Sequence, residues 1–307
     1  MKTWGEVEIY AYNGTDYELE NSNITSWAPR FGEHLSLSED GGRLAVGDWE
    51  LGTCRFFSAL FRLESMRELP TTANFQHPPH TVSFTDYGPG FVKVYQRAEN
   101  GTWGQLGQAI VGEENLSVSG WYANLSPDGS TVAFGSPHNS DGGLQSGSVR
   151  VYRLNEENDT PLWEQLGQDL DGFFPGDQLG KSSSHFDFPT VRLDSADFAH
   201  FLLLSLRTLG VSVDLSRDGN IVTFGGYTSN INGAKSGYIA VYEYEAERNT
   251  WTQIGRTIMG LPGAEFGRAV SISADGKTLV GGGPGYGQPN LVYPFRSGYV
   301  QVWQQFE

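Results

Sequence analysis

The sequence predicts an all-β repeat protein, a β-propeller of about four four-stranded blades with five as the alternative, interrupted by two insertions foreign to the repeat. Three observations predict it. Similar segments return at a period of roughly 57 to 61 residues, which belongs to propellers and solenoids rather than to a singly wound core. Four Ser-X-Asp-Gly turns each join two apolar runs, the signature of tight hairpins. The composition, with 40 glycines, 13% aromatic and 38% hydrophobic residues, suits many short strands better than packed helices. At 307 residues a closed all-β fold can still be one domain, so 1–307 reads as a single unit.

The first strand of each unit is an alternating run ending in serine: His34 to Ser38, Tyr122 to Ser126, Val211 to Ser216 and Ala269 to Ser273. Period-two alternation marks a half-buried strand. The turn follows at Ser38–Gly41, Ser126–Gly129, Ser216–Gly219 and Ser273–Gly276, where aspartate accepts backbone hydrogen bonds and glycine takes the positive φ. The second strand comes at once, as in Arg43 to Gly47 and Thr131 to Gly135, with small residues between bulky ones as expected near a crowded axis. A third strand ends on an aromatic residue at Tyr10, Tyr95, Tyr152, Tyr242 and Trp303, spaced 85, 57, 90 and 61 residues apart. The fourth carries Trp-X-Gln-Leu/Ile-Gly at Trp103, Trp163 and Trp251. A tryptophan recurring once per unit reads as packing between blades.

Two of the spacings are too long for the repeat, and the surplus falls at residues 51–89 and 181–208. Neither insertion follows the alternation, and 56–69 has the pattern of a short amphipathic helix. The chain starts with a third-strand motif and ends with another. The expected closure therefore pairs residues near 6–12 or 17–20 with Tyr299–Trp303, giving a monomer without an open edge.

Taken together, Trp-X-Gln-Leu-Gly, the serine-ended strand, Ser-X-Asp-Gly and Ser-Gly-X-Val-X-Val-Tyr resemble the FG-GAP-like repeats related to integrin α-chain propellers. Phe31-Gly32 and Phe266-Gly267 match the dipeptide that names them, with Leu179-Gly180 and Gly120-Trp121 as variants. The resemblance implies a propeller that presents loops to a partner, adhesion being one form of that role. It also implies calcium in Asp-rich hairpin loops, where oxygen ligands alternate ahead of a glycine. The corresponding loops here are Asn139-Ser140-Asp141-Gly142 and Asn230-Ile231-Asn232-Gly233. Asn139, Asp141, Asn230 and Asn232 are the candidate ligands, although Pro137 and Thr228 stand where a first acidic ligand is wanted.

Catalytic chemistry is sparse. Gly176 to Ser182 is a near miss for a phosphate-binding loop, but proline stands at 175 and no helix pattern follows. Of the six histidines, His77, His80, His185 and His200 lie in the insertions, His34 and His138 lack acidic or histidine companions at ligand spacing, and none sits in a nucleophilic triad context. Asp177 and Glu265, each just before a Leu/Phe-Gly step, are the candidate pair for a glycosidase mechanism, which needs two carboxyls ~5 to 9 Å apart.

A net charge of −16 repels phosphate backbones and anionic headgroups, which argues against nucleic-acid and membrane partners. No run approaches the ~20 apolar residues that span a bilayer. Cys54 is alone, so neither an internal disulfide nor a cysteine zinc site can form. Asn-X-Ser/Thr acceptors at Asn13, Asn23, Asn100, Asn115, Asn124 and Asn158 are either turn chemistry or the mark of an extracellular setting, and the first residues lack the pattern of an export signal. The expectation is a non-catalytic binding or scaffold propeller with a protein or glycan partner. A carbohydrate-active hydrolase or lyase is the alternative.

Overall fold

The structure, a computed structural model, describes residues 5–20, 24–26, 31–48, 88–114, 117–157, 159–179, 212–285 and 298–304. The chain is a β-propeller, and every regular element among the described residues is a strand. An outer half-blade comes first: β1 (Gly5–Val7), β2 (Tyr10–Tyr12), β3 (Tyr17–Leu19) and β4 (Ile24–Ser26), with β1 paired to β4 and β2 to β3. Blade A follows, comprising β5 (His34–Leu37), β6 (Arg43–Asp48), β7 (Phe91–Arg97), β8 (Trp103–Gln105) and β9 (Ile110–Val111). Blade B comprises β10 (Tyr122–Leu125), β11 (Thr131–Ser136), β12 (Ser148–Asn155), β13 (Leu162–Gln165) and β14 (Leu170–Asp171). Blade C comprises β15 (Val213–Leu215), β16 (Ile221–Gly225), β17 (Tyr238–Glu245), β18 (Thr250–Gln253) and β19 (Ile258–Met259). Blade D shows β20 (Ala269–Ile272), β21 (Thr278–Gly283) and β22 (Tyr299–Gln304).

Each of blades A to C is an antiparallel meander of four strands, and the short fifth strand pairs with the inner half of the third. The hairpin turn is built as its residues dictate. In Ser126-Pro127-Asp128-Gly129 the Ser126 hydroxyl donates to Asp128 Oδ1 at 2.6 Å and accepts the Thr131 N–H at 3.0 Å, while Gly129 takes φ +74°. The same bonds recur at Ser38, Ser216 and Ser273. These turns also meet one another: Glu39 N–H donates to Pro127 O at 2.8 Å and Arg217 N–H to Ala274 O at 2.9 Å.

Apolar faces pack between successive blades. Val92, Val94 and Ile110 of blade A meet Ala123, Val132 and Phe134 of blade B, and Val149 and Val151 meet Val213, Val222 and Phe224 of blade C. Glycine allows the closest approach at blade entries, where a Cβ on Gly225 would lie 1.8 Å from Gly267 O. The Phe-Gly dipeptide has a physical basis, since Phe266 is fully buried and Gly267 adopts φ +86°.

Ring closure differs from expectation. Among the described residues β22 is hydrogen-bonded to β21 and to no N-terminal strand. Among the described residues β3 is paired with β2 alone. The half-blade instead packs on blade A through Val7, Ile24 and Phe31. The insertions lie outside the described residues, except that Gly88 and Pro89 are described. Pro89 belongs to the repeat, because its carbonyl accepts the Ser119 N–H at 2.9 Å as Ser146 accepts that of Leu179 at 3.0 Å.

Candidate functional site

Asp177 and Glu265 sit in successive blade junctions. Asp177 is buried beside Tyr238, and its Oδ2 accepts the Phe174 N–H at 3.0 Å. Burial raises its carboxyl, against hydrogen bonds from Ser229, Phe174 and Tyr238 that pull it down. Glu265 is tied to Arg268 at 2.6 Å. Their equivalence is also off by one residue. Parallel bridges join Gly147 to Leu179 and Gly237 to Phe266, which makes Gln178 the counterpart of Glu265 and Ala264 the counterpart of Asp177. Gln178 and Glu265 share a positive φ, at 47° and 52°. Asp177 caps the turn at Phe174.

The asparagine hairpins are occupied by their own backbone. Asn139 accepts the Asp141 N–H at 2.9 Å, and its amide donates to Asp141 Oδ2 at 2.8 Å. Asn230 accepts the Lys235 N–H at 2.8 Å, and Asn232 donates to Gly260 O at 2.9 Å. Of the four candidate ligands, only Asp141 is brought together with other carboxylates. Two acceptor-site asparagines among the described residues behave likewise. Asn13 and Asn100 close turns, and the Asn124 amide donates to Asp214 at 3.0 Å.

At the axis the first strands carry one polar side chain each in the same register, Ser36, Asn124, Asp214 and Ser271, opposite Ala45, Ala133, Thr223 and Val280. They bond from blade to blade. Ser36 Oγ accepts the Leu125 N–H at 2.9 Å, and Asp214 Oδ2 accepts the Ile272 N–H at 2.8 Å and the Ser271 hydroxyl at 2.9 Å. Burial raises the Asp214 carboxyl although four donors oppose the shift. A cavity of about 400 Å³ opens here, lined by Ser36, Leu37, Asn124, Asp214, Arg217 and Ala274. His34 lies nearby on β5, half-buried against the Tyr122 ring, and desolvation lowers it to about 4, so it is neutral.

The junction of blades A and B holds a second polar centre. Glu113 follows β9, Asp141 lies in the β11–β12 hairpin and Asp169 precedes β14; carboxylate oxygens of the three lie within 4.8 Å of one another. Asp171 is close enough to feel Asp141 and Glu113, and burial raises Glu113, Asp169 and Asp171 alike. The buried Arg150 guanidinium reaches Glu113 at 3.4 Å and donates to Ser119 Oγ at 3.1 Å. A search for candidate pairs along the chain misses this centre, because its carboxylates come from separate loops of two blades.

No protein-family model and no curated protein matches the chain. Among solved structures it is similar to the periplasmic gluconolactonase of Pseudomonas aeruginosa (13% identity, TM-score 0.42, 100% of this chain and 66% of that one). It is also similar to the hydrazine synthase of Kuenenia stuttgartiensis (12% identity, TM-score 0.43, 99% and 66%) and to the tricorn protease (12% identity, TM-score 0.41, 98% and 20%). The chain spans about two thirds of the first two and a fifth of the third. Likeness at this level says nothing about substrate or reaction.

Proposed function

We propose that this chain is a non-catalytic binding or scaffold β-propeller that presents its blade-junction loops to a protein or glycan, in the manner of the FG-GAP-like repeats it resembles. The observation that supports this reading is the employment of the carboxylates a catalyst would need. Asp177 caps a turn, Glu265 is paired with Arg268, and Asp214 is held by donors from three inner strands. Glycan and protein arrays probed with the labelled chain, followed by NMR of any bound ligand for released product, test it. Retention of intact ligand supports a binding module, and no retained ligand or steady product release refutes it.

A carbohydrate-active hydrolase is the second reading, and one observation favours it. Glu113, Asp169 and Asp171 share a junction where burial raises all three carboxyls, the direction that suits a general acid. Under that reading product release disappears in Glu113→Gln.

A further inference from the structure

Blade B departs from the repeat at one place in the fold. In the other blades an apolar residue at the blade entry faces an aromatic ring at the start of the third strand: Phe31 with Phe91, Leu179 with Tyr238, and Phe266 with Tyr299. Phe266 and Tyr299 stack at 5.3 Å. In blade B both positions are serine, Ser119 and Ser148, each fully buried. The residue paired with this third-strand position on the fifth strand is Val111 in blade A and Met259 in blade C, and it is Asp171 in blade B. The third-strand residue two further on is Lys93 or Ala240 in those blades and Arg150 here.

A hydrophobic contact has thus been replaced by a buried polar one, and the replacement is incomplete on its own terms. Ser119 is satisfied by Ser136 at 2.7 Å and by Arg150. Ser148 Oγ, Asp171 Oδ1 and Arg150 Nε are buried and make no hydrogen bond among the described residues. Ser148 and Asp171 are cross-strand partners, so their side chains share the face that carries Arg150. Buried polar atoms of this kind find a partner in native proteins. Four carboxylates, those of Glu113, Asp141, Asp169 and Asp171, stand around the single guanidinium, which leaves the centre strongly negative.

We propose that Glu113, Asp141 and Asp169, with Asp171 and Ser148 beneath them, bind a calcium ion that bridges blades A and B. The donors are all hard oxygens, the set that selects calcium or magnesium over softer metals. Calcium–oxygen distances of ~2.3 to 2.6 Å put two ligands of one ion at most ~5 Å apart, whereas magnesium draws them to about 4 Å. The oxygens here lie within 4.8 Å of one another, within the reach of one ion. The ligands come from three loops of two blades. Asn139 only shapes the hairpin, and the equivalent hairpin of blade C, with Asn230 and Asn232, has Thr257 and Met259 near it in place of Asp169 and Asp171.

Calorimetry on the full chain, stripped with EDTA and titrated separately with calcium chloride and magnesium chloride, tests the site. The expected result is one calcium per chain, magnesium at least ~10-fold weaker, and a calcium-dependent rise in unfolding temperature. Glu113→Gln and Asp169→Asn each weaken calcium at least ~10-fold, and Ser148→Ala weakens it to a lesser degree. Asn230→Ala leaves it unchanged. Absence of calcium binding overturns the proposal, as does binding that survives Glu113→Gln undiminished. Glu113 is on a loop with its side chain half exposed, so this variant decides the matter even where Asp169→Asn fails to fold.

Discussion

The indole Nε1 of Trp163 donates to Leu106 O at 2.8 Å, a bond that runs from blade B into blade A. Gln108 completes the lock by accepting the Trp163 N–H at 2.9 Å and donating to its carbonyl at 2.7 Å. Trp251 repeats the arrangement with Leu166 and Gln168. Both indoles are buried, whereas Trp103 is only half-buried and donates to Glu20 at 3.0 Å. Alanine at 163 or 251 is expected to cost about 3 to 5 kcal/mol in urea unfolding. Trp103→Ala costs about half as much, in proportion to the area it buries. Equal losses at all three would mean that the indoles do not act through the junctions described.

Gly225 and Gly267 touch along the backbone at the entry to blade D. A methyl group at 225 would meet Gly267 O at 1.8 Å, and that atom cannot swing aside. Gly225→Ala is expected to lower stability by at least ~3 kcal/mol, the upper range for overpacking. Gly104→Ala is the control, since nothing lies within 4 Å of its Cβ and its φ is ordinary. It should be neutral or stabilising by up to ~1 kcal/mol. Chemical denaturation of the two variants reads both effects.

Asp214 has a raised carboxyl pKa in the fold, caused first by desolvation, against an ordinary value of 3.8. Between 3.8 and the raised value the folded state holds more protons than the unfolded one, so this group's contribution falls as pH rises through that window and levels off above it. Asp214→Asn removes the titration. The stability difference between wild type and variant should therefore be larger near pH 3.5 than near pH 7, as read from urea midpoints. A difference that grows towards pH 7 would mean that the donors outweigh burial.

Much of the fold was legible because its signals are local. A Ser-X-Asp-Gly turn is closed by its own side chains, as Ser126 and Asp128 show, and the strands on either side alternate. The axial series is present in the sequence as well. Ser36, Asn124, Asp214 and Ser271 all stand two residues before the turn serine, and only the packing of inner strands reveals that they bond to one another. The site was not legible by the same route. Asp177 and Glu265 look equivalent beside their glycines, but the bridge register offsets them by one residue. Glu113 and Asp141 are 28 positions apart and in different blades, so nothing local joins them. The readable clue was a departure: the X of Ser-Gly-X-Val is Ser148 in one unit, where the other two have tyrosine.

Hydrogen exchange at the Ile272 amide tests most directly the claim that the blades meet at one axis through side-chain to backbone bonds. Asp214 Oδ2 lies 2.8 Å from that nitrogen across the boundary of blades C and D. The account predicts slow exchange at Ile272 in the wild type and faster exchange in Asp214→Ala, with the Leu125 amide, held by Ser36 across the boundary of blades A and B, unchanged. Exchange at Ile272 that is fast in the wild type, or indifferent to the loss of Asp214, would contradict it.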